Sequence, residues 1–203
     1  MALPLRTALP EDLDAVTATV CSAFFDDPVW SWVFPDPSLR MAQFAAWWPL
    51  LVSGGIANGT LWTTPSYESV AIWTPPGGHK MLADDETRVP GLLAELVGDR
   101  IGTVFEGLAL FGTHAVRDDE PHWYLGVLAT HTAHRGNGTG MEVLRENLRM
   151  VDEAGMPAYL ESSNPVNDDR YRSVGFEAIG GFDLPATEHG PGPHVTTMWR
   201  DPR

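Results

Sequence analysis

Residues 125–140 read Leu-Gly-Val-Leu-Ala-Thr-His-Thr-Ala-His-Arg-Gly-Asn-Gly-Thr-Gly, and their reading decides the fold. A buried apolar run, a polar turn and a glycine cluster (Gly136, Gly138 and Gly140) open an amphipathic helix expected over Gly138 to Ala154. Met141, Leu144, Leu148 and Val151 make one apolar stripe of that helix, and Gly155 with Pro157 stops it. A strand over His122 to Thr130 precedes it and a strand over Pro157 to Ser162 follows. Strand, crossover helix and strand in that order predict a parallel pair at the centre of a sheet. The glycines permit backbone conformations that a Cβ forbids and let a ligand approach the main chain. First-turn N–H groups of the helix point at the same spot, where the helix dipole adds positive potential. The result is an anion site suited to a phosphate or pyrophosphate, with Arg135 beside it.

Outward from this centre, Leu3 to Ala8 reads as a short strand. Pro10 opens a helix with an acidic first turn (Glu11, Asp12, Asp14) and an apolar stripe of Leu13, Val16 and Val20, ended by Asp27-Pro28. A second helix is expected over Ser38 to Val52, stopping at Gly54-Gly55. Leu61 to Thr64 and Glu68 to Thr74 form a hairpin around Pro65-Ser66. Pro75 to about Arg88 reads as a mobile loop. Val89 to about Val116 is mostly helical, with interruptions at Gly98 and Gly102. Helix resumes over Val166 to Val174, and strands close the pattern at Phe176 to Phe182 and Val195 to Arg200. The expected class is α+β: a mixed, mostly antiparallel central sheet with a parallel central pair flanked by helices. No repeat or low-complexity linker divides the chain, so one domain over residues 1–203 is expected.

Composition narrows the partners. With 13 Lys plus Arg against 27 Asp plus Glu, the formal charge is −14, which argues against nucleic acid or an anionic membrane and favours cations, basic amines included. Cys21 is the single cysteine, so an intramolecular disulfide and a Cys-rich zinc site are excluded; on the first helix it reads as core. No metal is expected, because His131 and His134 have ligand-like spacing but no third ligand in sequence. The acidic clusters Asp84-Asp85-Glu86 and Asp118-Asp119-Glu120 read as solvated loops. Neither a signal-like apolar run nor a span-length apolar stretch is present, and a cytoplasmic location is the default expectation.

Which anion the glycine turn would take follows from elimination and then from likeness. No Lys follows the glycines, as a Walker loop requires, and Met141 stands where a dinucleotide fingerprint needs its last glycine. The pattern present is Arg-x-x-Gly-x-Gly over residues 135–140. It resembles the Gln/Arg-x-x-Gly-x-Gly/Ala signature of the GNAT superfamily of acyl-CoA-dependent N-acetyltransferases. Downstream, Ala158 to Glu177 resembles that superfamily's second signature, a strand followed by Asn167-x-x-x-Tyr171-x-x-x-Gly175-Phe176. The likeness is clear from His122 to Phe182 and extends over Leu5 to Phe25. The second half is close in style to the puromycin N-acetyltransferases, including the closing Thr196-Thr-Met-Trp-Arg200 strand. Residues 26–118 match no motif.

The resemblance implies acetyl-CoA as co-substrate. It places Leu128, Ala129 and Thr130 on the strand that pairs with pantetheine, and Arg135, Gly136, Asn137, Gly138, Thr139 and Gly140 on the pyrophosphate. It places Asn167 near the pantetheine arm, with Asn164 as rival, since either residue suits a helix cap. Tyr171 becomes the proton donor to the leaving thiolate, because tyrosine stands there in the family. Glu161 is the first candidate for the base and His122 the second. A Gly-x-Ser-x-Gly elbow is absent. The implied activity is direct acetyl transfer to a primary amine of a small basic molecule, such as an antibiotic. The alternatives are acetylation of a protein N-terminus or lysine, and a non-catalytic acyl-CoA sensor. A monomer or homodimer suits each of them.

Overall fold

The computed structural model describes residues 4–115, 117, 120–188 and 190–203. Strand β1 (Arg6–Thr7) leads through a 3-10 turn into helix α1 (Leu13–Phe24), followed by α2 (Pro28–Val33) and α3 (Pro37–Ala57). A hairpin of β2 (Leu61–Thr63) and β3 (Ser69–Thr74) precedes α4 (Ala83–Val97) and α5 (Ile101–Thr113). Then come β4 (Trp123–Thr130), α6 (Thr139–Glu153), β5 (Ala158–Ser162), α7 (Asp168–Arg172), β6 (Glu177–Asp183) and β7 (His194–Arg200). Among the described residues the strands form one sheet in the order β1-β2-β3-β4-β5-β7-β6. Only β4 and β5 run parallel, so the expected mixed, mostly antiparallel class holds. No described helix is long and apolar enough to cross a membrane.

The sheet is covered on both faces. Val16 and Val20 of α1 and Phe44 and Trp48 of α3 pack on Val70, Ile72, Val127 and Ala129 on one side. The α6 stripe packs on Ala71, Trp73, Leu125, Leu160 and Met198 on the other. Leu125 and Val127 therefore lie on opposite faces, although strict alternation would put them together. The cause is a β-bulge: Ile72 pairs with Val127 and Trp73 with Leu125, leaving Gly126 as the extra residue of β4. Such a bulge bends its strand and increases its twist.

Four expectations need correction. Helix α3 does not stop at Gly54-Gly55 but runs to Ala57, with Pro49 inside it. Packing overrides the low helix propensity of those glycines. A Cβ on Gly54 would lie 2.5 Å from the Lys80 carbonyl oxygen, and one on Gly55 would lie 2.8 Å from Ile72. The operative stop is Asn58-Gly59, with Gly59 at φ +65°. The loop after Pro75 ends at Leu82 rather than Arg88, and Asp84, Asp85 and Glu86 form the acidic first turn of α4. Gly98 breaks the next helical stretch as expected, but Gly102 lies within α5. Asp27-Pro28 ends α1 and also starts α2, because Asp27 accepts hydrogen bonds from the Val29 and Trp30 N–H groups. Leu3, Val116, Asp118 and Asp119 lie outside the described residues.

Asp12 ties the first elements together. Its carboxylate accepts from both Arg6 guanidinium nitrogens, from the Tyr67 hydroxyl at 2.7 Å and from the Leu9 N–H at 2.7 Å. These donors, Arg6 foremost, hold the carboxyl well below its usual range. A depressed carboxyl contributes stability above its unfolded pKa and loses it as pH falls through the folded one. Asp12→Asn is therefore expected to lower unfolding free energy by about 2 kcal/mol at pH 7. In urea titrations the difference should persist down to pH 5 and shrink only in strong acid.

Candidate active site

The strand that enters the glycine turn and its parallel neighbour are joined for a short distance. Trp123 pairs with Ala158 and Tyr124 with Tyr159, and there the ladder ends. From Leu125 to Thr130, β4 stays paired with β3 across the bulge but not with β5. The two strands thus splay, leaving the β5-facing edge of β4 as a polar backbone rail, since each strand residue carries a donor and an acceptor.

The rail leads to the N-terminus of α6. Gly136 and Gly138 take φ of +86° and +79°, a left-handed geometry that costs other residues about 1–2 kcal/mol. Gly138 occupies the cap position and no side chain caps the helix, so its first N–H groups face solvent at an exposed turn. Gly140 lets the helix start against the strand end, because a Cβ there would lie 2.6 Å from Thr130 Oγ1. Thr132 Oγ1 meets Ser22 Oγ at 2.8 Å, and Arg135 donates to the Ala23 carbonyl, so α1 braces the turn.

Two groups of side chains flank β5. On one side lies Asp27, whose carboxylate accepts from Ser163 Oγ at 2.7 Å and feels the Arg135 charge. Burial raises its pKa, with Ser163 and the α2 N–H groups opposing. Tyr171 of α7 neighbours it. Burial first, then the Asp27 and Asp168 charges, push the Tyr171 hydroxyl up to about 12, so it stays protonated at neutral pH. Its ring meets Phe176 edge to face at 6.2 Å.

On the other side is an open cavity of about 570 Å³ whose lining includes Glu161, His122, Tyr124, Tyr159, Lys80 and Phe111. Burial raises the Glu161 pKa, while the Lys80 charge and the Tyr124 and Tyr159 hydroxyls oppose the rise. Tyr124 is pushed well above the usual phenol range by burial and the Glu161 charge. Glu161 Oε2 is buried with no hydrogen-bond partner among the described residues. The His122 ring stands edge-on to Tyr159 and Trp199, at 5.6 and 5.3 Å, and its Nδ1 lies 2.6 Å from the Glu120 carbonyl oxygen. This arrangement can hold a cation beside a buried carboxylate whose pKa burial raises, with a phenol donor and an anion-binding turn across the strand.

Comparison with known proteins places the architecture. The chain aligns over its full length with a solved structure described as histone acetyltransferase HPA2 and related acetyltransferase, from Corynebacterium glutamicum. The TM-score is 0.67 at 21% identity, covering 98% of that chain. A polyamine N-acetyltransferase of Drosophila melanogaster aligns with a TM-score of 0.65 at 14% identity, over 98% of this chain and 99% of that one. The chain has the GNAT acetyltransferase fold. The fold that the two signatures imply is thereby borne out. Among curated proteins, an uncharacterized N-acetyltransferase of Schizosaccharomyces pombe is 24% identical over 180 residues, 82% of this chain and 71% of that one. No family model matches the chain.

On this GNAT fold the sequence-predicted residues fall at the splay, the turn and the two flanks of β5. Leu128 and Ala129 turn their side chains into the two cores and offer only backbone to the rail. Thr130 Oγ1 pairs with Ser69 Oγ at 2.8 Å. Arg135 to Gly140 form the turn. Asn167 is engaged locally, accepting from Arg170 at 2.8 Å, while Asn164 caps the turn before α7 by accepting from the Val166 N–H. Glu161 and His122 meet in the cavity; Tyr171 is not among the residues lining it. His131 and His134 sit on the turn with rings 5.9 Å apart. Cys21 is buried, its thiol raised to about 11 by burial. The sequence reading missed Asp27, Lys80 and Tyr159. Asp27-Pro28 is itself a helix-start signal, and Tyr159 falls opposite Tyr124 once the parallel register is set; Lys80 carries no such mark.

Proposed function

We propose that the protein is an acetyl-CoA-dependent N-acetyltransferase acting on a primary amine of a small cationic molecule. The observation that carries the reading is the β4–β5 splay, which ends at a left-handed glycine turn and an uncapped helix N-terminus. These residues fit acetyl-CoA: the rail at Leu128 to Thr130 suits the amide-bearing pantetheine arm, and Arg135 to Gly140 suit the pyrophosphate. When bound, acetyl-CoA supplies the acetyl group as a thioester. Glu161 takes the proton of the acceptor ammonium, and its raised pKa suits that task. Tyr171, kept protonated by its surroundings, offers a proton on the far side of β5. The acidic, aromatic cavity supports a small cationic acceptor, as does the fold neighbour described as catalysing the formation of N-acetylagmatine.

The test is release of free thiol from acetyl-CoA with a panel of agmatine, putrescine, tyramine and a lysine peptide. Release with the small amines supports the reading; release with the peptide alone, or with none, overturns it. Gly138→Val is expected to weaken coenzyme A binding about tenfold by straining the turn and displacing its N–H groups. Calorimetry checks this, with circular dichroism to confirm the fold.

A further inference from the structure

Lys80 is the only lysine in the sequence, and it lines the cavity beside Glu161. Much of the residue faces solvent, yet its Nζ stands 4.0 Å from the centroid of the Tyr124 ring, in cation–π range. Its charge also acts on Glu161, whose Oε2 is buried without a hydrogen-bond partner among the described residues. Among the described residues of the lining, Lys80 is the sole Lys or Arg, against Glu120 and Glu161.

The backbone that carries this side chain is held at three points. Pro75 to Gly78 form a tight turn, closed by the Gly78 N–H donating to the Pro75 carbonyl at 2.9 Å, with Gly77 at φ +69°. Asn58 Nδ2 donates to the His79 carbonyl at 3.0 Å. The Lys80 carbonyl and Met81 Cα fill the space that a Cβ on Gly54 would need. The strap is thus seated on α3, and its one long cationic side chain reaches the aromatic face beside an unpartnered carboxylate oxygen.

We propose that Lys80 is a built-in occupant of the acceptor subsite. Its ammonium stands where the ammonium of a small primary amine binds, against the Tyr124 face and Glu161, and a ligand enters by displacing it. The name of the subsite rests on the N-acetyltransferase reading; the cation site itself does not. The device selects for amines that keep their charge on binding, because a neutral ligand gains nothing from the carboxylate that Lys80 leaves.

The experiment needs no acetyl-CoA. Reductive methylation with ¹³C-formaldehyde keeps the charge and gives a single lysine signal. It should lie upfield of its free-chain position because of the Tyr124 ring, and move downfield as putrescine is added, but not with 1-butanol. In calorimetry, Lys80→Met should bind putrescine about fivefold tighter, as expected when a competing cation worth about 1 kcal/mol is removed. A lysine signal at the free-chain position that putrescine leaves unmoved overturns the proposal. So does putrescine affinity unchanged or weaker in Lys80→Met. Coenzyme A uptake is measured separately: its absence with a responsive Lys80 signal sinks the acetyltransferase reading and leaves the cation site standing.

Discussion

Tyr171→Phe is expected to lower kcat by about 10²–10⁴-fold, the usual range for a positioned general acid, while coenzyme A affinity stays within twofold or so of the parent. The substitution removes only the hydroxyl, and the ring keeps its place against Phe176. With its pKa near 12, the phenol remains a donor across the whole working range. Its loss should therefore appear as a uniform drop in turnover and not as a shifted pH profile. Steady-state kinetics with agmatine, paired with calorimetry of coenzyme A, checks both halves. Equal turnover in the two proteins would remove Tyr171 from the chemistry.

Glu161→Gln is expected to cost about 10²-fold or more in kcat/KM and to change the pH profile. Burial raises the Glu161 pKa from its ordinary value, with Lys80 and the two tyrosines limiting the rise. The proton-accepting form is therefore populated above that raised pKa and lost as pH falls through it. The parent should show an acid limb set by this group, and the Gln variant should lack it. Stability has the opposite sign: a buried carboxyl with a raised pKa weakens the fold once ionised. The variant should unfold no earlier than the parent at pH 8. A stability loss with an unchanged acid limb would reassign Glu161 to a structural role.

The second half of the chain was legible because its signals are local. The α6 stripe, the glycine turn and the Gly155 stop each follow from neighbours in sequence, and the strand–helix–strand order leaves one sensible pairing. The first half was less legible because long-range packing decides its boundaries. Gly54 and Gly55 continue a helix only because the strap and Ile72 need the room, and the acidic run at residues 84–86, which reads as a solvated loop, opens a helix instead. At the site, the roles of Glu161 and Tyr171 follow from motif resemblance, whereas the anion-binding turn is read from its glycines and the helix start. The bulge at Gly126, which sorts Leu125 and Val127 to opposite faces, is invisible without the β3 register. Asp27 and Lys80 approach β5 from elements with no motif at all. Asn167 keeps its place in the motif, with its carboxamide oxygen accepting from Arg170.

The most direct measurement is isothermal calorimetry of coenzyme A against the parent and Gly138→Val. Saturable one-to-one uptake by the parent, weakened about tenfold in the variant, is the predicted result. Well-folded parent protein that takes up no coenzyme A at millimolar concentration, or equal affinity in the two proteins, would contradict the account.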